Sequence, residues 1–170
     1  YKIYPDIVMY GKALGNGHAI TALIGRRSVM EAAQSSFISS TFWTEKIGYA
    51  AALKTLEVMQ RERSWVTVNN IGKKYKKSWS DIAQRNSVNI QVTGLDAIPA
   101  FTFDEYHLES KTYISQQMLK KGFLASNVVF CSTAHSDQIL NDYLNELDNV
   151  FNHLGKVDGD GFFETHLKHA

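Results

Sequence analysis

The sequence predicts an α/β fold on three observations. Short apolar runs of strand character lie near residues 7–10 and 19–25. Two amphipathic helical stripes follow, at residues 65–84 and 136–154, and strand-like alternation at residues 88–103 stands between them. Helices and strands that each carry one apolar face must bury those faces against one another, which is the layered arrangement of an α/β domain.

Taken in order, the chain first runs Asp6-Ile7-Val8-Met9-Tyr10-Gly11-Lys12, a strand that ends in Gly-Lys, with Gly15 and Gly17 close behind. A strand holds its last residue in a fixed place, and the glycines permit turns or close approach that a side chain would block. Residues 19–25 are small and branched and predict a buried strand closed by Arg26 and Arg27. Ser28 is placed to cap a short helix through Met30, Glu31 and Ala33, with a serine-rich loop over 34–40. Thr44 is placed to cap a helix over 44–61, whose small residues Ala50, Ala51 and Ala52 predict close packing on another element. The next helix, over 65–84, carries Val68, Ile71, Tyr75, Trp79 and Ile82 at spacings of three and four, the pattern of one buried face.

Val88, Ile90 and Val92 alternate with polar residues as a half-buried strand that Gly94 breaks. Residues 97–103 form a second strand, in which Pro99 predicts an edge position or a bulge. A helix over 108–121 ends at Gly122, and residues 123–125 and 128–132 read as two more short strands. Ser136 caps the last long helix, with Ile139, Leu140, Tyr143, Leu144, Leu147, Phe151 and Leu154 on one side, and His135 before it reads as a capping or packing residue. Asp158-Gly159-Asp160-Gly161 lacks the other ligands of a calcium loop and reads as a turn. The histidines show no metal-ligand spacing, with His166 and His169 in the tail, so no metal is expected.

Composition narrows the function classes. With 170 residues, 44% of them hydrophobic, the chain can build one substantial core or parts of two, which excludes disorder. Lys and Arg number 18 against 17 Asp and Glu, so neither nucleic acid nor an anionic membrane is called for as a partner. Lys73, Lys74, Lys76 and Lys77 read as the solvated face of a helix. The single Cys131 excludes an internal disulfide and fits a reducing compartment. With no signal peptide or long apolar span in the sequence, a cytoplasmic protein is expected. The opening Tyr1-Lys2-Ile3-Tyr4-Pro5 has no initiating methionine and passes quickly into interior strand character, which predicts a piece of something longer.

Lys12 is the candidate for chemistry. An amine held at the end of a strand can attack an aldehyde once burial or a neighbouring positive charge lowers its pKa. The same Gly-Lys also suits a solvated lysine at a turn. A phosphate loop is excluded, because there the lysine is followed by Ser or Thr and here by Ala13. Ser40-Thr41-Phe42-Trp43 sets hydroxyls beside aromatics, a composition that serves phosphate binding or ordinary turns.

The segment Pro5-Asp6-Ile7-Val8-Met9-Tyr10-Gly11-Lys12-Ala13-Leu14-Gly15-Asn16-Gly17 is followed in order by Ile24-Gly25-Arg26-Arg27-Ser28-Val29-Met30 and Ser40-Thr41-Phe42. Met118-Leu119-Lys120-Lys121-Gly122 and Ser132-Thr133-Ala134-His135-Ser136-Asp137 come after them. In this order the chain resembles the class III aminotransferase family of pyridoxal-phosphate enzymes, fold type I, and is most similar to its glutamate-1-semialdehyde 2,1-aminomutase branch. The resemblance implies that residues 1–60 are the end of a large cofactor domain and 61–170 a C-terminal small domain. It implies that Lys12 holds pyridoxal 5'-phosphate as an internal aldimine and then moves the proton between substrate and cofactor carbons. Thr41 would bind the cofactor phosphate across a homodimer interface, Gly15, Asn16 and Gly17 would shape the turn, and the substrates would be a small-molecule amino donor and acceptor.

Several residues depart from the family pattern. His18 replaces the proline after the glycine turn, and Trp43-Thr44-Glu45-Lys46 replaces the Asn and Pro after the threonine. No arginine stands in the last half of the chain, and Ser126-Asn127 takes the place of the aminomutase's longer, glutamate-bearing loop. An intermolecular aminotransferase therefore fits as well as a mutase. In the family, the acid that pairs with the pyridine nitrogen, the ring-stacking aromatic and the glycine-rich phosphate cup lie upstream, so these residues alone are expected to be catalytically silent. The alternative reading is a non-catalytic α/β interaction or dimerisation module, which would leave Lys12 and Thr41 exposed.

Overall fold

The computed structural model describes residues 2–157 and 161–167. They fall into two compact units, Tyr1–Arg63 and Ser64–Ala170.

In the first unit, β1 (Ile7–Tyr10) pairs antiparallel with β2 (Ala22–Gly25), in a register that sets Ile7 against Gly25 and Tyr10 against Ala22. The open end is tied by Arg26, whose N–H donates to the Asp6 carbonyl (3.0 Å) and whose guanidinium meets the Asp6 carboxylate (3.1 Å). The expectation of a buried strand over 19–25 is corrected here. Only residues 22–25 are strand, and Leu23 and Ile24 are exposed, because a two-stranded ribbon has no third layer in this unit to cover it.

A short helix α1 (Arg27–Met30) and a 3-10 turn (Glu31–Ser35) follow. Ser28 does not cap α1: Arg26 holds the N-cap position and no side chain caps it. The long helix α2 (Lys46–Glu62) is capped by Glu45, whose carboxylate accepts from the N–H groups of Ile47 (2.8 Å) and Gly48 (3.3 Å). The expected cap, Thr44, is instead spent inside the tight turn in which Glu45 N–H donates to Phe42 O (3.1 Å). A carboxylate does more than a hydroxyl at this place, since it satisfies two free donors and opposes the positive end of the helix dipole.

The second unit is built on α3 (Ser64–Arg85) and α5 (Asp137–Leu154), with α4 (His107–Lys120), α6 (Gly161–His166) and a hairpin of β3 (Ile90–Leu95) and β4 (Ile98–Phe103). The stripes read from sequence meet in one core. Ile71, Tyr75, Trp79 and Ile82 of α3 and Leu140, Tyr143, Leu147, Phe151 and Leu154 of α5 are buried with Phe101, Phe103, Ile114 and Met118. Trp79 stands edge-on to Phe101, ring centroids 4.8 Å apart, and its Nε1–H donates to the Tyr143 hydroxyl (3.2 Å).

Two strand expectations change in this unit. Gly94 does not break β3 but pairs with Pro99 inside the ladder, at φ +81, where an added Cβ would meet Ile98 O at 2.4 Å. Pro99 stands on an edge strand, since the sheet consists of β3 and β4 alone, yet it is fully buried, and its carbonyl accepts from Val129 N–H (3.1 Å) of the irregular segment beside it. Residues 123–125 and 128–132 form no strands: Val128 makes one isolated bridge to Ala100, and the rest of that stretch is irregular. The reason lies at the end of α4. Gly122, at φ +85, donates to Leu119 O and Phe123 N–H donates to Met118 O, so the closing turn consumes the backbone groups that would start a strand.

Ser136 caps α5 as expected, its Oγ accepting from Ile139 N–H (3.2 Å). His135 is half-buried and edge-on to Tyr75, with its Nδ1 unpaired. Of the tail, His166 stacks on Phe162, while Asp158, Gly159, Asp160 and His169 lie outside the described residues.

Candidate functional site

Lys12 follows β1 directly. Gly11 continues the extended strand, and Lys12 then turns to φ +49 and starts a 3-10 turn (Lys12–Leu14). Its carbonyl accepts from the N–H groups of Gly15 and Asn16, both at 3.2 Å, and His18 N–H donates to Gly15 O (3.1 Å). Two glycines make this turn possible for different reasons. At Gly15 an added Cβ would lie 2.1 Å from His18 O, whereas Gly17 takes φ +102. The left-handed lysine that opens the turn, at φ +49, costs on the order of 1 kcal/mol. The turn therefore fixes the backbone from which the amine projects.

The Lys12 side chain is exposed at the lip of a concavity of about 680 Å³ and makes no hydrogen bond or ion pair among the described residues. Ser39 and Ser40 bring hydroxyls to this concavity, Phe42, Trp43 and Tyr49 bring rings, and Glu45 brings a carboxylate. An aldehyde-bearing, phosphorylated aromatic ring suits this set, since the amine can condense with the aldehyde, the rings offer an apolar face and the serines can bond the phosphate. Thr41 is exposed and does not line the concavity, so the structure does not bring Lys12 and Thr41 together within one chain.

Sequence reasoning missed Glu45 and Tyr49 as wall residues, whereas Trp43 was read with Ser40, Thr41 and Phe42 as a cluster suited to phosphate binding or to a turn. Glu45 carried a signal: an acid one residue before a helical pattern is a capping position. Tyr49 carried none, because an aromatic near a helix start reads equally as core.

Among the described residues of the second unit no comparable centre stands out. Burial pushes the Cys131 thiol up and so away from the thiolate form, and pushes the Tyr75 phenol up to about 12, with the nearby Cys131 adding to it. A smaller concavity of about 330 Å³, with Asp104, Glu105 and Ser110 in its wall, has no lysine, cysteine or histidine. Among the described residues no group of three His, Cys, Asp or Glu side chains could hold a metal, and no helix is long and apolar enough to cross a membrane.

Comparison with known proteins gives a consistent picture. Residues 1–133 match the family model for aminotransferase class III. The chain is 35% identical over 114 residues to a 3-aminobutyryl-CoA aminotransferase of Cloacimonas acidaminovorans, a match that takes in 65% of this chain and 28% of the relative. It is 26% identical over 172 residues to a glutamate-1-semialdehyde 2,1-aminomutase of Persephonella marina, covering 91% of this chain and 40% of the relative. Among solved structures, the internal aldimine form of the FumI protein of Sphingopyxis sp. MTA144 superposes with a TM-score of 0.80 at 23% identity, over 94% of this chain and 40% of that one. The fold is thus that of the corresponding part of pyridoxal-phosphate enzymes, and the chain spans two fifths or less of the length of these relatives.

Proposed function

The chain belongs to the class III aminotransferases, and from that premise we propose that it supplies the catalytic lysine, Lys12, to a pyridoxal-phosphate-dependent amino-group transfer between two small molecules. The observation that carries this reading is the placing of Lys12: a free amine on a glycine-braced turn at the end of a strand, facing hydroxyls and rings. When bound, pyridoxal phosphate supplies an aldehyde carbon for the amine and a ring that takes up electrons. Lys12 would hold the cofactor through its Nζ, and when not so engaged its Nζ would serve as the base that takes a proton from the substrate carbon and as the acid that returns it.

Thr41 does not line this concavity, which supports its acting on the cofactor phosphate of a second subunit rather than on that of its own. Transfer between molecules is favoured over the aminomutase's internal rearrangement by the short Ser126-Asn127 connection. That segment holds β4 through Asn127, whose amide donates to Phe101 O (2.8 Å), and offers no carboxylate. A second reading, a non-catalytic interaction or dimerisation module, draws on the exposure of both Lys12 and Thr41.

Borohydride reduction with pyridoxal phosphate separates the two readings. Applied to these 170 residues and to the complete reading frame that encodes them, followed by mapping of the modified lysine by mass spectrometry, it is expected to label Lys12 selectively in the complete frame. In the shorter chain, where the concavity is open, labelling is expected to be scattered and transamination absent. Lys12→Ala abolishes the selective label and leaves folding intact. Labels spread evenly over surface lysines in both forms would overturn the catalytic role and leave the module.

A further inference from the structure

We propose that Gly48 is a positioning residue for Lys12: by having no side chain, it lets α2 seat directly against the chain that leaves the lysine turn. The inference rests on the proposed role of Lys12 for its meaning, but not for its geometry.

Among the described residues of the first unit the buried ones are Gly15, Gly48 and Ala52. All three are small, and two of them bracket the lysine turn. Gly15 holds the turn from within, and Gly48 meets it from α2, which packs on the Lys12–Leu14 turn. A Cβ at position 48 would lie 2.5 Å from Ala19 O and 3.2 Å from the Ile20 Cβ. The nearer atom is backbone and cannot rotate away, so any side chain must displace either the helix or residues 19–20. Gly48 is also anchored on its other side, because its N–H donates to the Glu45 carboxylate (3.3 Å), so the helix start cannot slide without losing its cap. Ala19, Ile20, Glu45 and Gly48 all line the concavity that holds Lys12. A shift at this contact therefore moves the wall and the amine together.

The sign of the effect is what makes the inference testable. Inside a helix, glycine is the worse residue by about 1 kcal/mol relative to alanine, so Gly48→Ala should tighten α2 if position 48 were an ordinary helical site. If Gly48 is a seat for the lysine turn, the same change loosens residues 12–20.

The test compares Gly48→Ala, Gly48→Val and, as a control at an exposed polar position of the same helix, Gln60→Ala, each in the complete reading frame. Amide hydrogen exchange is followed by mass spectrometry over residues 12–20 and over 71–154, the latter reporting whether the second unit stays folded. The rate of Lys12 acylation by acetic anhydride is followed at one fixed pH, relative to that of Lys54 in the same chain. The expectation is an increase in exchange over 12–20 of about tenfold for alanine and more for valine, as a backbone overlap of this kind demands. The relative rate of Lys12 acylation should change in both variants, with neither change in the control and none over 71–154. Exchange over 12–20 that stays level or falls in Gly48→Ala would overturn the inference, as would an unchanged relative rate of acylation. Because acetic anhydride needs no cofactor, failure of pyridoxal phosphate to label Lys12 would remove the catalytic reading while these measurements still decide the role of Gly48.

Discussion

The two units of this chain solve opposite problems. Among the described residues of Tyr1–Arg63 the buried ones are Gly15, Gly48 and Ala52, while Tyr4, Met9, Phe37, Trp43, Ile47 and Leu53 are exposed. In Ser64–Ala170, Trp79, Phe101, Ile114, Met118, Leu147 and Phe151 are sealed from solvent in one aromatic-rich core. The unit that contains Lys12 buries little of its own apolar surface, and the unit with the core is closed by its own residues. Apolar exposure on this scale marks a surface that meets something else, in keeping with a chain that covers 40% or less of its relatives' length. The proposed chemistry falls in the unit without a core of its own.

Substitution of large apolar residues is the strongest way to break that comparison. Leu147→Ala in the second core is expected to cost about 2–5 kcal/mol in urea unfolding. Phe37→Ala, at a side chain 96% exposed, should stay within about 0.5 kcal/mol. A comparable loss at Phe37 in the complete reading frame alone would show directly that the first unit's apolar surface is covered there.

A smaller effect sharpens the account of the core. Tyr143→Phe strands the buried Trp79 N–H, whose hydroxyl partner at 3.2 Å it removes, and should cost about 1–3 kcal/mol in the same experiment. If the loss is negligible, the bond contributes only packing.

The smallest expected effect is electrostatic and falls in the second unit. Asp148 accepts from Arg85 Nε (2.9 Å) and Asn86 Nδ2 (2.6 Å), and the Arg85 bond leads in holding its carboxyl below the ordinary value. A depressed folded pKa gives stability that is present above the unfolded pKa and is lost as pH falls through the folded one. Both partners are partly exposed, so screening leaves about 0.5–1 kcal/mol. Asp148→Asn should remove that part of the acid dependence below about pH 4, and an unchanged pH profile would show the pair to be inert.

What was legible in the sequence follows the same division. The helical stripes of α3 and α5 could be read because their partners lie in the same chain, so period and burial agree at Ile71, Tyr75, Trp79, Leu140 and Leu147. Residues 19–25 look equally apolar, yet Leu23 and Ile24 are left exposed, and an apolar run without a partner reads as a core that is not there. Pro99 was legible as an edge position because the sheet stops at β4, but its burial was not, since the segment that covers it is irregular and leaves no strand pattern. Lys12 and its glycines were legible because a turn leaves a local mark. The seam at Gly48 was not, since the atom it makes room for, Ala19 O, is far off in sequence.

The three tryptophans are distributed in a way that gives each unit its own optical signature. Trp79 is fully buried in the second core, while Trp43, 58% exposed, stands in the wall of the Lys12 concavity, and Trp65, 44% exposed, opens α3. A pyridoxyl group on Lys12 would lie beside Trp43 and quench its long-wavelength emission, whereas loss of the core would shift the short-wavelength emission of Trp79. With Trp65→Phe removing the other exposed indole, one emission spectrum can therefore follow occupation of the lysine and integrity of the scaffold as separate signals, without any added dye.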